Sequence, residues 1–417
     1  MDPHTVPFVT PTVRRCRQER ERDCRECRRL EQPHGEPVDT SDLLGVAKNS
    51  SRSRGSSTQR LAFQRRVAAE VLVRSSITLV QTLFGPGSGS FTFLHRKRLA
   101  PGPWPTQIRP MKWTRDAMPS LEGQQWVVTG ANSGLGLETV KALAAKGAGV
   151  VMACRDPKRA EAAADEVRRG APGARLELES LDLASLESIE RFAAKLAQTH
   201  PALDGLINNA GIMAIPRRTT ADGFEMQLGT NHLGHYALSL RLLPLLEAAK
   251  APRLINVAST AHKFGTINFD DLMGEKSYSA WAAYGQSKLA NLLFTYELHR
   301  RLAAAGKKTV VAAAHPGYAA TNLQGVGAKM TGSSFGAWFM NTGNSLLAQS
   351  AEMGALPTLY AATVSEVKGG EYFGPDGFLE LKGHPRRCDS NAKSKDVAAA
   401  QKLWEASEKL TGVRFPA

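Results

Sequence analysis

The sequence lacks the long apolar run of a membrane-spanning helix, because no apolar stretch continues for about 18 residues without interruption. The best candidate near the start, Val71 to Phe84, is broken by Arg74, Ser75 and Ser76. The first residues also lack the basic stretch and apolar run of a signal peptide. Only five cysteines occur in 417 residues, an odd count for a disulfide framework. These absences predict a globular cytoplasmic chain with no membrane span.

Acidic residues are also scarce, and the shortage is uneven along the chain. The formal net charge is +14 at pH 7. Residues 1–110 hold 19 Lys and Arg against 10 Asp and Glu, whereas the rest holds 34 against 29. Such a basic chain invites a nucleic-acid interpretation. However, no aromatic side chain that could stack on bases lies between Arg14 and Arg29, so no nucleic-acid partner is expected.

The first quarter of the chain also lacks a sustained helical or strand period. Clusters of Ser, Gly and Pro interrupt residues 1–110, which we interpret as an Arg-rich, disordered extension. Regular apolar runs begin only after Met111, so a single folded domain is predicted over residues 111–417. Met111 is therefore a candidate for the physiological start of the protein.

Cysteine and histidine positions do not predict a metal site. Cys24 and Cys27 form a C-x-x-C pair with Cys16 and His34 nearby, but the spacing is not that of a zinc finger. We favour coincidence in a disordered segment. Four histidines in the folded part are predicted to pack inside the fold or line a cleft: His232, His235, His262 and His315. No metal is predicted.

Apolar runs and helical patterns alternate along the predicted domain. Strands are predicted at 125–129, 150–153, 176–178, 203–207, 253–257, 309–314 and 371–374. Helices are predicted at 135–146, 158–169, 185–198, 230–249, 281–305, 351–363 and 395–410. This order predicts an α/β fold with one doubly wound parallel sheet and helices on both faces. Ligands of such sheets bind beyond the carboxyl ends of the strands.

A glycine-rich turn follows the first predicted strand, in the sequence TGANSGLG at 129–136. Gly130 permits a tight turn, Gly134 lets backbone approach a pyrophosphate, and Gly136 lets the next helix pack closely on the sheet. The helix N-terminus adds free N–H groups and a positive dipole end. The turn therefore predicts a dinucleotide site. Its predicted contacts are Gly130, Ser133, Gly134, Leu135 and Gly136.

The tip of the second strand bears on the choice between NADP and NAD. An acidic residue at this tip is typical of NAD binding, whereas a nearby arginine accommodates a 2′-phosphate. Cys154 stands at the tip and Arg155 follows it, so NADP(H) is favoured over NAD(H). Asp156 leaves an alternative open, because it either accepts hydrogen bonds from the ribose or begins the turn into the next helix.

A tyrosine and a lysine stand four residues apart on a predicted helix, which places them on one helical face. Tyr284 would need a neighbouring cation for acid-base work at neutral pH, because a phenol titrates near pH 10 unaided. Lys288 is spaced to supply that cation. Ser259 ends the fifth predicted strand, and the sequence Asn208 to Gly211 ends the fourth.

These motifs stand in one order along the chain. They are TGANSGLG, LDL at 181–183, NNAG at 208–211, NHLGH at 231–235, NVAS at 256–259, YGQSK at 284–288 and HPGYAAT at 315–321. From Leu121 to Gly377 the sequence resembles the short-chain dehydrogenase/reductase family, most closely the branch of retinol-dehydrogenase-like and related bacterial reductases. The resemblance implies a Rossmann-type fold and a homodimer or homotetramer built from long helices.

The resemblance also implies roles for individual residues. Tyr284 is the expected general acid/base, and Lys288 is expected to lower its pKa and hold the nicotinamide ribose. Ser259 is expected to bond the substrate oxygen, and Asn231 to anchor a proton-relay water. Further expected cofactor contacts are Asp182 and Leu183 at the adenine, Asn209, Ala210 and Gly211 along the cleft, and Pro316, Gly317 and Thr321 at the carboxamide.

The implied activity is NADP(H)-dependent hydride transfer between a nicotinamide and a small-molecule carbonyl or alcohol. Residues 322–347 correspond to a lid over the substrate, and their apolar and aromatic content favours a hydrophobic substrate. Packing of these side chains on the core or on a partner subunit is an equal alternative. A second function class is a dinucleotide-responsive binding or regulatory protein, but the complete acid-base set favours an enzyme.

Overall fold

The computed structural model describes residues 112–318 and 349–416. Several predictions lie outside the described residues: the extension 1–110, the start at Met111, the cluster of Cys16, Cys24, Cys27 and His34, the contact by Thr321, and the lid at 322–347. The division at residues 110 and 111 stays a prediction. Within the described ranges, none of the helices combines the length and apolar character needed to cross a membrane.

One eight-stranded sheet forms the centre of the fold, in the order β3-β2-β1-β4-β5-β6-β7-β8. The strands are β1 Gln125–Thr129, β2 Gly149–Cys154, β3 Arg175–Ser180, β4 Gly205–Asn208, β5 Arg253–Val257, β6 Val310–Ala314, β7 Tyr372–Pro375 and β8 Pro385–Arg387. The first seven strands run parallel, and β8 pairs with β7 in the antiparallel direction. The predicted doubly wound parallel sheet is confirmed.

Helices cover both faces of this sheet. They are α1 Gly134–Ala145, α2 Pro157–Gly170, α3 Leu186–Thr199, α4 Gly234–Ala248, α5 Ala280–Ala304, α6 Ala351–Thr363 and α7 Val397–Thr411. The central strands feed two apolar cores, as shown by Val127 and Val128, which are both fully buried but belong to opposite faces. Burial on both faces explains why these strands are apolar throughout.

Register brings the carboxyl ends of the central strands to one edge of the sheet. Thr129 at the end of β1 aligns with Ala153 on β2, and Asn208 at the end of β4 aligns with Asn256 on β5. The segments that follow these strands therefore meet at this edge. Those segments carry the glycine turn and Ser259.

Three local features differ from the prediction. The β4 strand begins at Gly205 rather than at residue 203, because the Leu203 N–H bonds Leu245 O outside the sheet. A π-helical turn, Gly229–Leu233, precedes α4, which begins at Gly234. The β8 strand was not predicted, because its three residues are largely exposed and carry no apolar alternation.

The last helix, α7, covers the outer sides of the long helices α4 and α5. The Trp404 ring lies 5.1 Å from the Tyr236 ring and 5.9 Å from the Phe294 ring. The Ser407 hydroxyl bonds His232 Nε2 at 2.9 Å. These faces of the long helices are thus buried within the chain. The homodimer or homotetramer stays a prediction. The faces of α4 and α5 that α7 covers are not available for its interface.

Candidate active site

A cleft of about 470 Å³ lies beyond the carboxyl ends of the central strands. It is lined by most of the predicted site residues: Gly130, Ser133, Gly134, Leu135, Gly136, Arg155, Asp182, Leu183, Asn209, Ala210, Gly211, Ser259, Tyr284, Lys288, Pro316 and Gly317. Asn231 does not line this cleft. The structure therefore brings the glycine turn together with three of the four predicted catalytic residues, Ser259, Tyr284 and Lys288.

The glycine turn depends on the absence of side chains at two positions. Gly130 has a φ of +64°, and a Cβ there would lie 3.0 Å from the Cα of Ala210. A Cβ on Gly136 would lie 2.2 Å from the Gly130 carbonyl oxygen and 2.5 Å from Nδ2 of Asn209. Glycine thus lets α1 approach the turn closely, as predicted. The N–H groups of its first turn are the kind that bind a phosphate.

Thr129 joins the glycine turn to the neighbouring wall of the cleft. Its fully buried Oγ1 accepts hydrogen bonds from the N–H groups of Asn209 at 2.9 Å and Ala210 at 3.0 Å. The same hydroxyl contacts His235 Nε2 at 2.9 Å. Sequence reasoning missed this residue, because its partners lie about 80 to 106 positions away along the chain.

The tip of β2 supplies two arginines to the cleft. Arg155 and Arg159 both line it, and both are exposed. Asp156 accepts the Arg159 N–H at 3.2 Å and so caps the N-terminus of α2, while a contact of this carboxylate with the ribose stays a prediction. Arg159 was not predicted, although its spacing of one helical turn from Arg155 was a signal. Burial raises the pKa of the Cys154 thiol to about 11, so the thiol stays protonated.

The predicted adenine contact at Asp182 is held by local hydrogen bonds. Its Oδ1 accepts the Ala184 N–H at 2.9 Å, and its own N–H donates to the Ser188 hydroxyl at 3.0 Å. Ser188 lies in the first turn of α3. The residue is thus fixed between β3 and α3 where it borders the cleft.

Tyr284, Lys288 and Ser259 line the cleft near the end of β5, two strands across the sheet from the glycine turn that follows β1. Tyr284 and Lys288 are buried on α5, and Lys288 Nζ lies 5.9 Å from the centre of the Tyr284 ring. The ammonium donates to the Val257 carbonyl oxygen at 3.0 Å, at the end of β5. The Ser259 hydroxyl accepts the Ala261 N–H at 3.2 Å and begins a short 3-10 helix.

Burial shifts the pKa values of both titratable groups at this end. The pKa of Tyr284 lies above its ordinary value of 10.0, because burial raises it more than the hydrogen bond with Ser259 lowers it. Burial lowers the pKa of Lys288 from 10.5 to about 8. The predicted lowering of the Tyr284 pKa is therefore not seen, since burial of the phenol outweighs the opposing contact and the ammonium is bonded to Val257.

Asn231 supports the wall behind the cleft. Its side chain is fully buried in the π-helical turn. The Oδ1 atom accepts the Ile212 N–H, and Nδ2 donates to Ile212 O and to the Ser287 hydroxyl, each at 2.9 Å. Its carbonyl oxygen contacts His235 Nδ1 at 3.1 Å. The role in a proton relay stays a prediction.

Aromatic side chains stand at the mouth of the cleft. Phe264 and Trp281 line it although they are 57% and 52% exposed. The Trp281 ring meets the Tyr284 ring edge-on at 6.2 Å. Ile212 and Met213 line the cleft as well. Sequence reasoning did not select these residues, because their common location depends on how separate segments meet.

His315, Glu380 and Cys388 place three metal-ligand atoms within 4.8 Å of one another. Glu380 already pairs with Lys263 at 3.1 Å. His315 Nδ1 accepts the Gly317 N–H at 3.2 Å, which leaves the proton of a neutral imidazole on Nε2. Burial raises the pKa of the Cys388 thiol to about 11. These contacts suit a polar cluster better than a metal site.

Known proteins are similar to this chain in sequence. The profile of the family described as short chain dehydrogenase matches residues 124–330. Retinol dehydrogenase 13 of Homo sapiens is 42% identical over 309 residues, which cover 73% of this chain and 90% of that protein. Retinol dehydrogenase 14 of Homo sapiens is 41% identical over 308 residues, covering 70% and 88%.

A solved structure from Mycobacterium paratuberculosis is also similar. It shares 43% sequence identity with a TM-score of 0.61, and the match covers 73% of this chain and 100% of that chain. With the parallel sheet, the glycine turn and the cleft that holds Tyr284 and Lys288, these matches show that the chain belongs to the short-chain dehydrogenase/reductase family of oxidoreductases and is similar to its retinol dehydrogenases.

Proposed function

We propose that the protein is an NADP(H)-dependent oxidoreductase that interconverts a hydrophobic carbonyl compound and its alcohol, with Tyr284 as general acid/base. One observation carries the proposal: Ser259, Tyr284 and Lys288 line one end of the cleft whose other end is the glycine turn. A dinucleotide-binding turn and an acid-base group are the two parts that such a reaction needs.

The residues of the cleft fit a nicotinamide dinucleotide. The turn between β1 and α1 is shaped by close approaches that only glycine permits at Gly130 and Gly136. We expect the turn to hold the pyrophosphate, Asp182 to contact the adenine, and Gly317 to lie near the carboxamide. When bound, this cofactor supplies or accepts the hydride.

The side chains at the catalytic end then handle the proton. During reduction, Tyr284 donates its phenolic proton to the substrate oxygen, and the Ser259 hydroxyl donates a hydrogen bond to the same oxygen. During oxidation, Tyr284 removes the proton. The ammonium of Lys288 predominates below its pKa of about 8 and stabilises the phenolate that forms.

The preference for NADP(H) rests on Arg155 and Arg159. Both line the cleft, while the nearby carboxylate of Asp156 is engaged in capping α2. Arg155→Ala should raise KM for NADPH by about tenfold and leave KM for NADH nearly unchanged, since only NADPH carries the 2′-phosphate. Arg168→Ala on α2 is the matched control, because Arg168 does not line the cleft and pairs with exposed Asp165. Better use of NADH than of NADPH by the wild type would contradict the cofactor assignment.

The hydrophobic substrate is supported by the mouth of the cleft, where Phe264 and Trp281 are exposed beside Met213. The relatives named above are retinol dehydrogenases. We therefore propose a long apolar aldehyde or alcohol. Retinal and aliphatic aldehydes of increasing chain length should show kcat/KM rising with apolar length, whereas a flat series would contradict this substrate class.

The decisive experiment uses the purified full chain. NADPH and NADH are assayed against a panel of carbonyl compounds, and NADP and NAD against the matching alcohols. We expect NADPH-dependent reduction of at least the apolar aldehydes. Tight NADPH binding without turnover across the panel would instead favour the dinucleotide-responsive binding or regulatory protein.

The location and assembly of the protein are further parts of the proposal. We propose a cytoplasmic location, supported by the few cysteines of the chain. We also propose a homodimer or homotetramer. Cell fractionation and light scattering test the two statements, and recovery in the membrane fraction or a monomeric mass would contradict the respective one.

A further inference from the structure

We propose that the hairpin of β7 and β8 is a positioning device for the catalytic end of the cleft, a statement that rests on the proposed function. The hairpin contacts the Ser259 turn, which comprises residues 259–264, and the His315 loop, which comprises residues 315–318. These two segments border the catalytic end of the cleft from separate parts of the chain. Tyr372 and Glu380 on the hairpin hold the two segments at a fixed spacing.

Tyr372 provides the first link, because its buried ring lies between two histidines. The His262 ring stands at 88° to it with centroids 5.7 Å apart, and the His315 ring lies 5.2 Å away at 36°. His262 Nδ1 lies 2.7 Å from the Ser259 carbonyl oxygen and donates to it. The position of Tyr372 is thereby transmitted through one ring to the backbone of Ser259.

Glu380 provides the second link through charge. One carboxylate oxygen meets Lys263 Nζ at 3.1 Å and His315 Nε2 at 3.5 Å, and the other meets Arg386 at 3.6 Å. Lys263 belongs to the Ser259 turn, and His315 immediately precedes the predicted cofactor contact at Pro316. The contacts with His315 and, next, Lys263 lower the pKa of Glu380 to about 2. A single carboxylate therefore ties three segments together.

The backbone of the hairpin supplies a third link. Leu379 and Glu380 have φ values of 51° and 59°, a left-handed conformation that residues with side chains rarely adopt. The Leu381 carbonyl oxygen accepts the Tyr318 N–H at 2.7 Å and would lie 2.4 Å from a Cβ on Gly317. The surrounding contacts thus hold the hairpin backbone directly against the His315 loop.

Tyr372 and His262 carry buried polar atoms that side-chain packing alone does not explain. The Tyr372 hydroxyl and His262 Nε2 are buried and form no hydrogen bond with the described part of the chain. Burying an unpaired polar atom is unfavourable, so phenylalanine would serve packing alone better at position 372. The network therefore has the character of a functional arrangement adjoining Ser259.

The main test is Glu380→Gln, which keeps the side-chain shape and removes the charge. We expect kcat for NADPH-dependent aldehyde reduction to fall about tenfold and KM for NADPH to change less than about twofold. Glu371→Gln is the matched control, because Glu371 is 14% exposed against 12% for Glu380 and its carboxylate contacts Arg387 and the Lys368 N–H rather than the Ser259 turn or the His315 loop. Equal kcat values for both variants would overturn the proposal.

A double-mutant cycle separates positioning from general destabilisation. If Glu380 acts through Ser259, Glu380→Gln should lower kcat by less than about twofold in a Ser259→Ala background. The same tenfold loss in both backgrounds would overturn the proposal. Lys263→Met removes only the ion pair between Glu380 and the Ser259 turn, and the Lys263 side chain is half-exposed. This variant should lower kcat about threefold, and it tests the proposal even if Glu380→Gln does not fold.

Hydrogen exchange tests the device without any turnover. In Glu380→Gln the amides of residues 259–264 and 315–318 should exchange faster than in wild type and Glu371→Gln, while residues 129–136 stay unchanged. Unchanged exchange in the first two segments would overturn the proposal. If the wild type is inactive but Glu380→Gln still exchanges faster in these segments, the result contradicts the proposed function. The positioning device is then still supported.

Discussion

The two ends of the cleft are built in different ways. The phosphate-binding turn of the dinucleotide end is one continuous segment, residues 129–136, whose shape depends on backbone conformation and missing side chains. The catalytic end combines Ser259 after β5, Tyr284 and Lys288 on α5, and the loop after β6. A phosphate-binding turn can thus be encoded locally, whereas the catalytic end requires several segments of the chain to meet.

The two ends also differ in their electrostatics. Exposed arginines border the dinucleotide end, so solvent screens their charges. Tyr284 and Lys288 are buried, and burial shifts both of their pKa values. Changes at the catalytic end should therefore alter chemistry and pH dependence, while changes at the other end should alter cofactor binding and local packing.

The largest effect is expected for Tyr284→Phe. Loss of the phenolic proton donor should lower kcat by about 10²- to 10⁴-fold, since this is the usual contribution of general acid-base catalysis. NADPH affinity, measured by fluorescence titration, should stay within about twofold because the glycine turn is intact. Retention of wild-type kcat would refute the assigned role, and Phe264→Leu at the mouth serves as an aromatic control.

A smaller effect is expected for Gly136→Ala at the opposite end. The added Cβ would meet the Gly130 carbonyl oxygen at 2.2 Å, so α1 must shift away from the turn. The free energy of unfolding should fall by about 1–3 kcal/mol, and NADPH affinity should fall with it. Gly170→Ala is the control, because a Cβ there meets no atom within 4 Å. Equal denaturation midpoints for the two variants would contradict this account of the turn.

Lys288→Met should lower turnover as well, because it removes the cation beside Tyr284, and its separate effect on stability is the smallest effect expected here. The folded-state pKa of about 8 lies below the ordinary 10.5, so the folded chain is penalised below pH 8 and the penalty fades as pH rises to 10.5. The variant should be more stable at pH 7 by about 1–3 kcal/mol, with the advantage lost near pH 10.5. Denaturant titrations across this range test it, with exposed Lys158→Met as control. If the free energy of unfolding varies with pH in the same way for wild type and Lys288→Met, the result contradicts a destabilising buried ammonium at Lys288.

The sequence predicted the central strands well because they are buried on both faces. The bounds of β1 and β5 match the prediction, since their apolar runs have clear ends. The short edge strand β8 was missed, because three largely exposed residues carry no periodic signal. The hydrophobic pattern of the sequence therefore identifies strands that are buried in the core and misses an exposed strand at the edge of the sheet.

At the site, the sequence predicted residue types and missed their supporting contacts. The spacing of Tyr284 and Lys288 placed both on one helical face, as the structure confirms. The contribution of Thr129 and the pairing of Glu380 with Lys263 depend on residues far apart in the chain. The upward shift of the Tyr284 pKa could not be predicted either, because burial is a property of the folded chain.

The sequence by itself determined the alternation of strands and helices, the glycine turn and the residues available for acid-base work. These properties follow from local periodicity, from the backbone freedom of glycine and from spacing along one helix. Only the tertiary structure decided that Asp156 caps a helix, that Arg159 enters the cleft, and that the β7–β8 hairpin contacts the Ser259 turn. The physical reason is that desolvation, ion pairing and ring packing act through space, between groups that the chain brings together only when it folds.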